Sequence, residues 1–333
     1  FREFSIIAPM QFAPYAGFTK EEVKALCEEY NVRYEDISRW YDGYVVNTDI
    51  PIEMREKYRA GEYEGKTMSI YSPLSVVEAV STGVIQNYWN KTENYEALAE
   101  YIRMDYDGLK DAVALLMDGG RVSVDTSTYQ NDMTTFHGRD DVLTMLIHLG
   151  YLGYDMDTRK VFIPNNEILD EFKASTKSEE WAGTFRAFKK SQELLKATWE
   201  GNADKVAELL EWFHDTAENK TYNSEAALSY AVQMAYYAAQ KYYTAIQELD
   251  TGKGYADIVY LPSPRHPDKP ALLVELKYDK NVKTAADQIR DRNYPQKLTH
   301  YEGNLLLVSV NYDKEIAAGD ENYKRHSCVI EKL

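Results

Sequence analysis

Apolar residues in the last third of the chain follow first helical and then strand spacing. Small and aromatic residues recur at helical intervals after Asn223, and the apolar runs that follow are typical of strands. Pro295 interrupts a second helical pattern, where we expect a kink. The predicted elements are a helix over 224–243, strands over 244–249, 255–261 and 271–278, a helix over 284–298, and strands over 304–311 and 327–333. Their order is α-β-β-β-α-β with an extra strand at the end.

The first half of the chain is predicted to be mostly helical. Apolar spacing indicates a helix over 18–30, and Thr19 followed three residues later by Glu22 has the form of a capping box. A second amphipathic helix is predicted around 76–79. Between 141 and 172 the pattern gives helix, strand, turn, strand and helix, which is the order of a small winged-helix-like unit.

A charged helical segment joins the two halves. Its apolar stripe consists of Leu194, Leu195, Val206, Leu209, Leu210 and Trp212. We therefore predict an α+β protein with three regions. Residues 1–172 form the mostly helical region with the winged-helix-like unit, residues 173–222 form a helical connector, and residues 223–333 form the α-β-β-β-α-β domain.

Charge is distributed unevenly along the 333 residues. The net charge of −16 opposes general adhesion to polyanions. Residues 251–300 nevertheless carry nine Lys or Arg against six Asp or Glu. Such a stretch is either an ordinary solvated surface or the place where a phosphate backbone lies. The candidate contacts for nucleic acid are Lys280, Lys283, Arg290 and Arg292.

Cysteine usage and hydropathy exclude several classes of protein. The two cysteines, Cys27 and Cys328, are too few for a disulfide framework or a multi-thiolate zinc site. No apolar run approaches the ~18 residues of a membrane span, and the first residues lack the pattern of a secretion signal. We expect a cytoplasmic protein with no membrane partner. Because the chain opens at Phe1 without an initiator methionine, we also expect a fragment of a longer protein.

Two charged residues interrupt the apolar strand predicted at 271–278. Glu275 and Lys277 are two residues apart, so both side chains point to the same face of the strand. Burying an acid and a base costs several kcal/mol per ion before pairing is counted, roughly the desolvation penalty of each charge. Either the two form an internal ion pair at the end of an edge strand, or they belong to a reactive site.

The preceding strand favours the reactive site. Asp257 lies early in that strand, behind Gly252 and Gly254, and is expected to face Glu275. Two neighbouring carboxylates repel each other unless a divalent cation lies between them. Mg²⁺ or Mn²⁺ is therefore the expected cofactor. Lys277 would orient a water molecule or neutralise charge that develops on a phosphate.

The spacing of Asp257, Glu275 and Lys277 resembles that of the PD-(D/E)XK nuclease superfamily, whose core has the α-β-β-β-α-β order. The resemblance implies that Glu225, near the start of the first helix, joins Asp257 and Glu275 as a metal ligand. The alternative for Glu225 is an acid favoured by the helix dipole. Gln288 and Tyr294 resemble the Gln-x5-Tyr element of the RecB-like branch, which implies that they help hold the site and its substrate.

A wider resemblance covers nearly the whole chain. The segments Phe18–Val23, Trp40–Tyr44, Tyr71–Ser75, Tyr88–Trp89, Leu149–Gly153 and Ile163–Glu167 are similar, in this order, to bacterial proteins that join an AAA-ATPase-like domain to a C-terminal PD-(D/E)XK domain. The resemblance implies an upstream ATPase module as partner and a nucleotide-binding core before Phe1. The phosphate-loop look-alike Ala60–Thr67 lacks the preceding apolar strand and the following helix, so we expect this chain to bind no ATP.

Two functions are consistent with these patterns. The first is a divalent-metal-dependent nuclease that hydrolyses phosphodiester bonds, with DNA preferred to RNA, coupled to the upstream ATPase. The second is a nucleic-acid- or protein-binding regulatory module that keeps the nuclease fold with weak or no cleavage, because a fold alone does not establish an activity.

Overall fold

The computed structural model divides the chain into two compact units, Phe1–Ala182 and Gly183–Leu333. It describes residues 13, 15–47, 67–89, 95–104, 106, 108–129, 136–216, 225–250, 255–278, 301, 303–313, 316 and 325–332. Within these ranges, the side chains of residues 47, 95–97, 225–227, 247–250, 255–257 and 278 are not described. None of the helices in the described part of the chain is both long and apolar enough to cross a bilayer.

The first unit consists of short helices and two small three-stranded sheets in the described residues. Its helices are α1 (Lys20–Glu29), α2 (Tyr34–Tyr41), α3 (Pro73–Thr82), α4 (Tyr95–Arg103), α5 (Leu109–Met117), α6 (Arg139–His148) and α7 (Asn166–Ser175). Its strands are β1 (Phe18–Thr19), β2 (Tyr44–Asn47), β3 (Thr67–Tyr71), β4 (Val122–Ser123), β5 (Gly153–Asp155) and β6 (Lys160–Phe162). The sheet orders are β1-β3-β2 and β4-β6-β5.

The predicted capping box is present at the start of α1. The Thr19 side chain accepts from the backbone N–H of Glu22, and the Glu22 carboxylate accepts from the backbone N–H of Thr19 at 2.8 Å. These hydrogen bonds lower the pKa of Glu22. The helix therefore begins where the sequence predicts, with backbone donors satisfied at its first turn.

The elements predicted between 141 and 172 are all found. Helix α6, strands β5 and β6, the turn between them and helix α7 occur in the predicted order, and β4 adds a third strand beside β6. Identification of these elements as a winged-helix unit stays a prediction.

A buried glutamate, Glu167, holds together residues from separate parts of the first unit. One oxygen of Glu167 accepts from the backbone N–H groups of Tyr88 and Trp89, at 2.8 and 3.0 Å. The other oxygen accepts from the Ser75 hydroxyl at 2.8 Å. Burial raises the pKa of Glu167 even though these hydrogen bonds act in the opposite direction.

In its described residues, the second unit combines three helices with a five-stranded sheet. The helices are α8 (Ala182–Trp199), α9 (Ala203–Thr216) and α10 (Glu225–Ala235), and the strands are β7 (Tyr243–Asp250), β8 (Tyr255–Pro262), β9 (Ala271–Tyr278), β10 (Leu305–Tyr312) and β11 (His326–Lys332). The strand order is β11-β10-β9-β8-β7. Only β9 and β10 run parallel among these neighbours, since the other pairs are antiparallel.

The sheet has two apolar clusters, separated by the alternation of side chains along β9. Leu272, Val274 and Leu276 lie in the larger cluster, together with buried residues of α8, α9 and α10. Leu273 lies in a smaller cluster, which includes Val259. Helices α8 and α9, in the segment predicted as a connector, thus contribute to the core of the second unit.

Candidate metal centre

Strand β9 places Glu275 and Lys277 on the predicted face. The two residues continue the face of Leu273, opposite the face that packs on the helices. Glu275 is buried, with 2% of its side chain exposed, whereas 20% of the Lys277 side chain is exposed. The lysine side chain therefore lies partly at the surface, whereas the carboxylate beside it is buried.

The two side chains form an ion pair. Nζ of Lys277 lies 3.6 Å from Oε2 of Glu275. The internal ion pair that the sequence left open as an alternative is thus present. Its presence does not exclude a reactive site, because a buried carboxylate without a bound cation is stabilised by a neighbouring ammonium.

Strand β10 adds two polar residues beside this pair. In the parallel register, Ser309 pairs with Glu275 and Asn311 pairs with Lys277. Ser309 is 1% exposed and Asn311 is 7% exposed. The sequence analysis missed both residues, although two polar positions in the apolar run Leu305–Tyr312 are the same signal that identified Glu275 and Lys277.

Asp257 lies on β8, the other neighbour of β9. The described register pairs Tyr260 with Leu272 and Ile258 with Val274. Asp257 is the next residue along β8, and Glu275 is the next residue along β9. Continued by one residue, the same register sets the two positions opposite each other. The Asp257 side chain lies outside the described residues.

The other predicted site residues are described in part or not at all. Glu225 is the first residue of α10, and its side chain lies outside the described residues. The same holds for the whole of Gln288, Tyr294, Lys280, Lys283, Arg290 and Arg292, and for residues 60–66 of the phosphate-loop look-alike. Thr67, the last residue of that segment, begins strand β3.

The buried carboxylate of Glu275 is chemically suited to a hard divalent cation. Carboxylate oxygens are the ligands that Mg²⁺ and Mn²⁺ prefer. Among the described side chains, no three His, Cys, Asp or Glu lie close enough together to hold a metal ion. The acids expected to complete the set, Asp257 and Glu225, do not have described side chains.

A second polar cluster lies on the opposite face, at α9 and β11. Oε2 of Glu211 lies 2.8 Å from Nδ1 of His326 and accepts from the backbone N–H groups of Arg325 and His326. Nε2 of His326 lies 3.0 Å from Nδ1 of His214, and the Tyr312 ring packs against both imidazoles. The cluster joins residues more than 100 positions apart, and no motif in the sequence indicated it.

Comparison with protein families supports the assignment of the second unit. Residues 228–320 match the PD-(D/E)XK nuclease superfamily, so the chain contains a domain of this superfamily. The matched range includes Asp257, Glu275, Lys277 and Ser309. Comparisons with curated proteins and with solved structures found no match.

Proposed function

We propose that this chain is a divalent-metal-dependent nuclease of the PD-(D/E)XK type that hydrolyses phosphodiester bonds, with DNA preferred to RNA. The observation that carries the proposal is the buried Glu275 beside Lys277 on β9, within the range that matches the superfamily. The buried acid, the neighbouring lysine and the superfamily match together support nuclease chemistry at this position.

The proposed ligands are Glu275, Asp257 and Glu225. Asp257 is proposed because the β8–β9 register, continued by one residue, sets it opposite Glu275. Glu225 is proposed because it opens α10, the helix that precedes the sheet. Like charges at these positions would repel each other without a cation, and a shared divalent ion would relieve that repulsion.

A bound divalent ion would polarise the phosphodiester. It would also lower the pKa of a bound water molecule, which supplies a nucleophile at neutral pH. The chain's own residues have the remaining roles. Lys277 presents its ammonium beside Glu275 and can donate to a phosphate oxygen as negative charge develops there. We propose that Gln288 and Tyr294 support the site, and that Lys280, Lys283, Arg290 and Arg292 bind the nucleic-acid backbone.

The regulatory alternative is favoured by one observation. The net charge of −16 opposes binding of a polyanion. In this alternative, the nuclease fold binds nucleic acid or protein without cleavage. Two further parts of our proposal concern the first unit and its neighbour in the full protein. Coupling to an upstream ATPase module rests on the sequence resemblance, and the winged-helix role of α6 to α7 rests on the order of the helices and strands.

Cleavage assays on purified variants test the proposal. The wild type is incubated with labelled duplex DNA, single-stranded DNA and RNA of one sequence, with and without Mg²⁺ or Mn²⁺. We expect metal-dependent cleavage that falls about 100-fold or more in Glu275→Gln and in Asp257→Asn, the scale expected when a transition-state contact is removed. Circular dichroism shows whether each variant is folded.

The matched control is Glu331→Gln, an acid on β11 of the same sheet, two strands from Glu275. This variant should cleave like the wild type. Full metal-dependent cleavage by Asp257→Asn would refute the ligand assignment. Tight binding of nucleic acid without any cleavage by the wild type would favour the regulatory alternative instead.

A further inference from the structure

Strand β10 repeats the polar spacing of β9. All eight residues of Leu305–Tyr312 are buried, and Ser309 and Asn311 are two residues apart, as Glu275 and Lys277 are. The parallel register joins the two pairs one to one. Neighbouring strands lie about 4.8 Å apart, and paired residues of parallel strands share one face of the sheet. The Ser309 hydroxyl and the Glu275 carboxylate therefore extend from adjacent positions on the same face.

The Ser309 hydroxyl has no hydrogen-bond partner among the described residues. It is fully enclosed, although a buried polar atom without a partner is unfavourable and rare in folded proteins. A valine would fill this place on a strand of Leu and Val at lower cost. Ser191 shows the usual pattern, because its buried hydroxyl donates to the carbonyl of Ala235 and accepts from the N–H of Ala238. Packing alone does not account for Ser309.

We propose that Ser309 is a positioning residue for Glu275 and donates a hydrogen bond to its carboxylate when Glu275 binds the divalent ion. This inference rests on the proposed function. Carboxylates that bind metals are commonly held by a hydrogen-bond donor behind them, which fixes the orientation of the oxygen that faces the ion. Ser309 is the described hydroxyl in register with Glu275, and its donor is not occupied by any described residue.

The proposal predicts opposite effects of one substitution on two measurements. In Ser309→Ala, an enclosed hydroxyl without a partner disappears, so the melting temperature without metal should stay the same or rise. The affinity for Mn²⁺ should fall about tenfold, because loss of a supporting hydrogen bond behind a ligand costs roughly 10-fold to 100-fold in metal affinity. A residue that only fills space would change both quantities in the same direction.

The experiment measures Mn²⁺ binding by isothermal titration calorimetry and melting temperature by circular dichroism, on the whole chain. Ser309→Thr keeps the hydroxyl and should keep most of the affinity. The matched control is Ser327→Ala, an exposed serine on β11 in register with Asn311, which should change neither quantity. Glu275→Gln is included to establish that the titrated ion binds at this site.

The outcomes separate this inference from the proposed function. If Glu275→Gln and the wild type bind Mn²⁺ equally, the proposed metal site is wrong, and the role of Ser309 is overturned with it. If Glu275→Gln loses binding while Ser309→Ala binds like the wild type, the metal site stands and only the positioning role is overturned. A lower melting temperature together with lower affinity in Ser309→Ala would identify a packing role and also overturn the inference.

Discussion

The ammonium of Lys277 lies 3.6 Å from the carboxylate of Glu275, and the lysine is the more exposed partner. Without a divalent ion, this ammonium compensates part of the cost of burying the carboxylate. With an ion bound at Glu275, the same ammonium repels a second positive charge. Lys277 therefore has opposite effects on the stability of the free protein and on metal affinity, and both effects are measurable.

Replacement of Lys277 by Met should separate these effects. We expect Lys277→Met to lower the free energy of unfolding without metal by about 2 kcal/mol, since it leaves a buried carboxylate without its partner charge. Mn²⁺ should bind about fivefold more tightly, because a like charge several ångströms from the ion is removed. Urea unfolding and calorimetric titration measure the two quantities, with Lys332→Met on β11 as the control. Weaker Mn²⁺ binding in Lys277→Met would contradict the proposed location of the ion.

The cluster around Glu211 predicts a pH dependence of stability. Burial acts to raise the pKa of Glu211, but the hydrogen bonds and charge of His326, with the backbone N–H of Arg325, outweigh it and lower the pKa. A carboxyl whose pKa is lower in the folded state stabilises the fold above its unfolded pKa. That contribution is complete above the ordinary value of 4.5 and is lost as the pH falls through the lower folded pKa.

Glu211→Gln removes the ionisable group and tests this sign. At neutral pH we expect a loss of about 2 kcal/mol, since hydrogen bonds to a charged acceptor are each worth roughly 1.5–3 kcal/mol. The difference from the wild type should shrink as the pH is lowered below 4.5. Urea unfolding at a series of pH values measures it, and Glu208→Gln, an exposed acid on the same helix, is the control. A difference that is constant over this pH range would contradict the assigned role of Glu211.

The buried Glu167 predicts a large effect on the first unit. Glu167→Ala removes the acceptor of the Tyr88 and Trp89 N–H groups and of the Ser75 hydroxyl. Buried donors left without an acceptor cost roughly 1–3 kcal/mol each, so we expect a loss of about 3 kcal/mol after relaxation. Asp170→Ala on the same helix removes an exposed ion pair with Lys173 and should cost less than about 0.5 kcal/mol. Equal losses in the two variants, measured by urea unfolding, would show that Glu167 does not organise this core.

Local signals predicted the five strands of the second unit to within one residue at each end, because each strand has apolar residues along most of its length. The helix predicted at 284–298 lies outside the described residues. Strand β9 is predicted at 271–278 and found at Ala271–Tyr278. The helix predicted at 224–243 ends earlier, since α10 stops at Ala235 and a 3-10 turn follows at Tyr237–Lys241. No Gly or Pro marks this stop. Ser191 of α8 instead bonds to the carbonyl of Ala235 and the N–H of Ala238, so a tertiary contact ends the helix.

Alternation along a strand predicts which side chains of one strand lie together, but not which residues of another strand lie beside them. Glu275 and Lys277 are two residues apart, so alternation alone places them together. Ser309 lies beside Glu275 because β10 pairs with β9 in one particular register, which residue spacing does not specify. The contact between Glu211 and His326 likewise depends on how α9 packs on β11, and neither residue has a local pattern that indicates it.

The basic stretch of the sequence predicts how nucleic acid approaches the site. If Lys280, Lys283, Arg290 and Arg292 contact phosphates, binding releases counterions, and the logarithm of the affinity falls with the logarithm of the salt concentration by about 0.9 per neutralised phosphate on duplex DNA. Charge reversal of Lys283 and Arg290 together should reduce the magnitude of this slope by about two, the number of contacts removed.

The control reverses two lysines of α1, Lys20 and Lys24, which changes the net charge by the same amount at a place remote in sequence from the candidate contacts. Fluorescence anisotropy with labelled duplex DNA, and with Ca²⁺ in place of Mg²⁺, measures binding over a series of salt concentrations. The same measurement with single-stranded DNA and with RNA of the same sequence compares the affinities for the three substrates. A defined binding groove requires that only the Lys283 and Arg290 variant change its slope. Equal changes in both double variants would mean that the overall charge of the protein, and no defined binding groove, governs its affinity for nucleic acid.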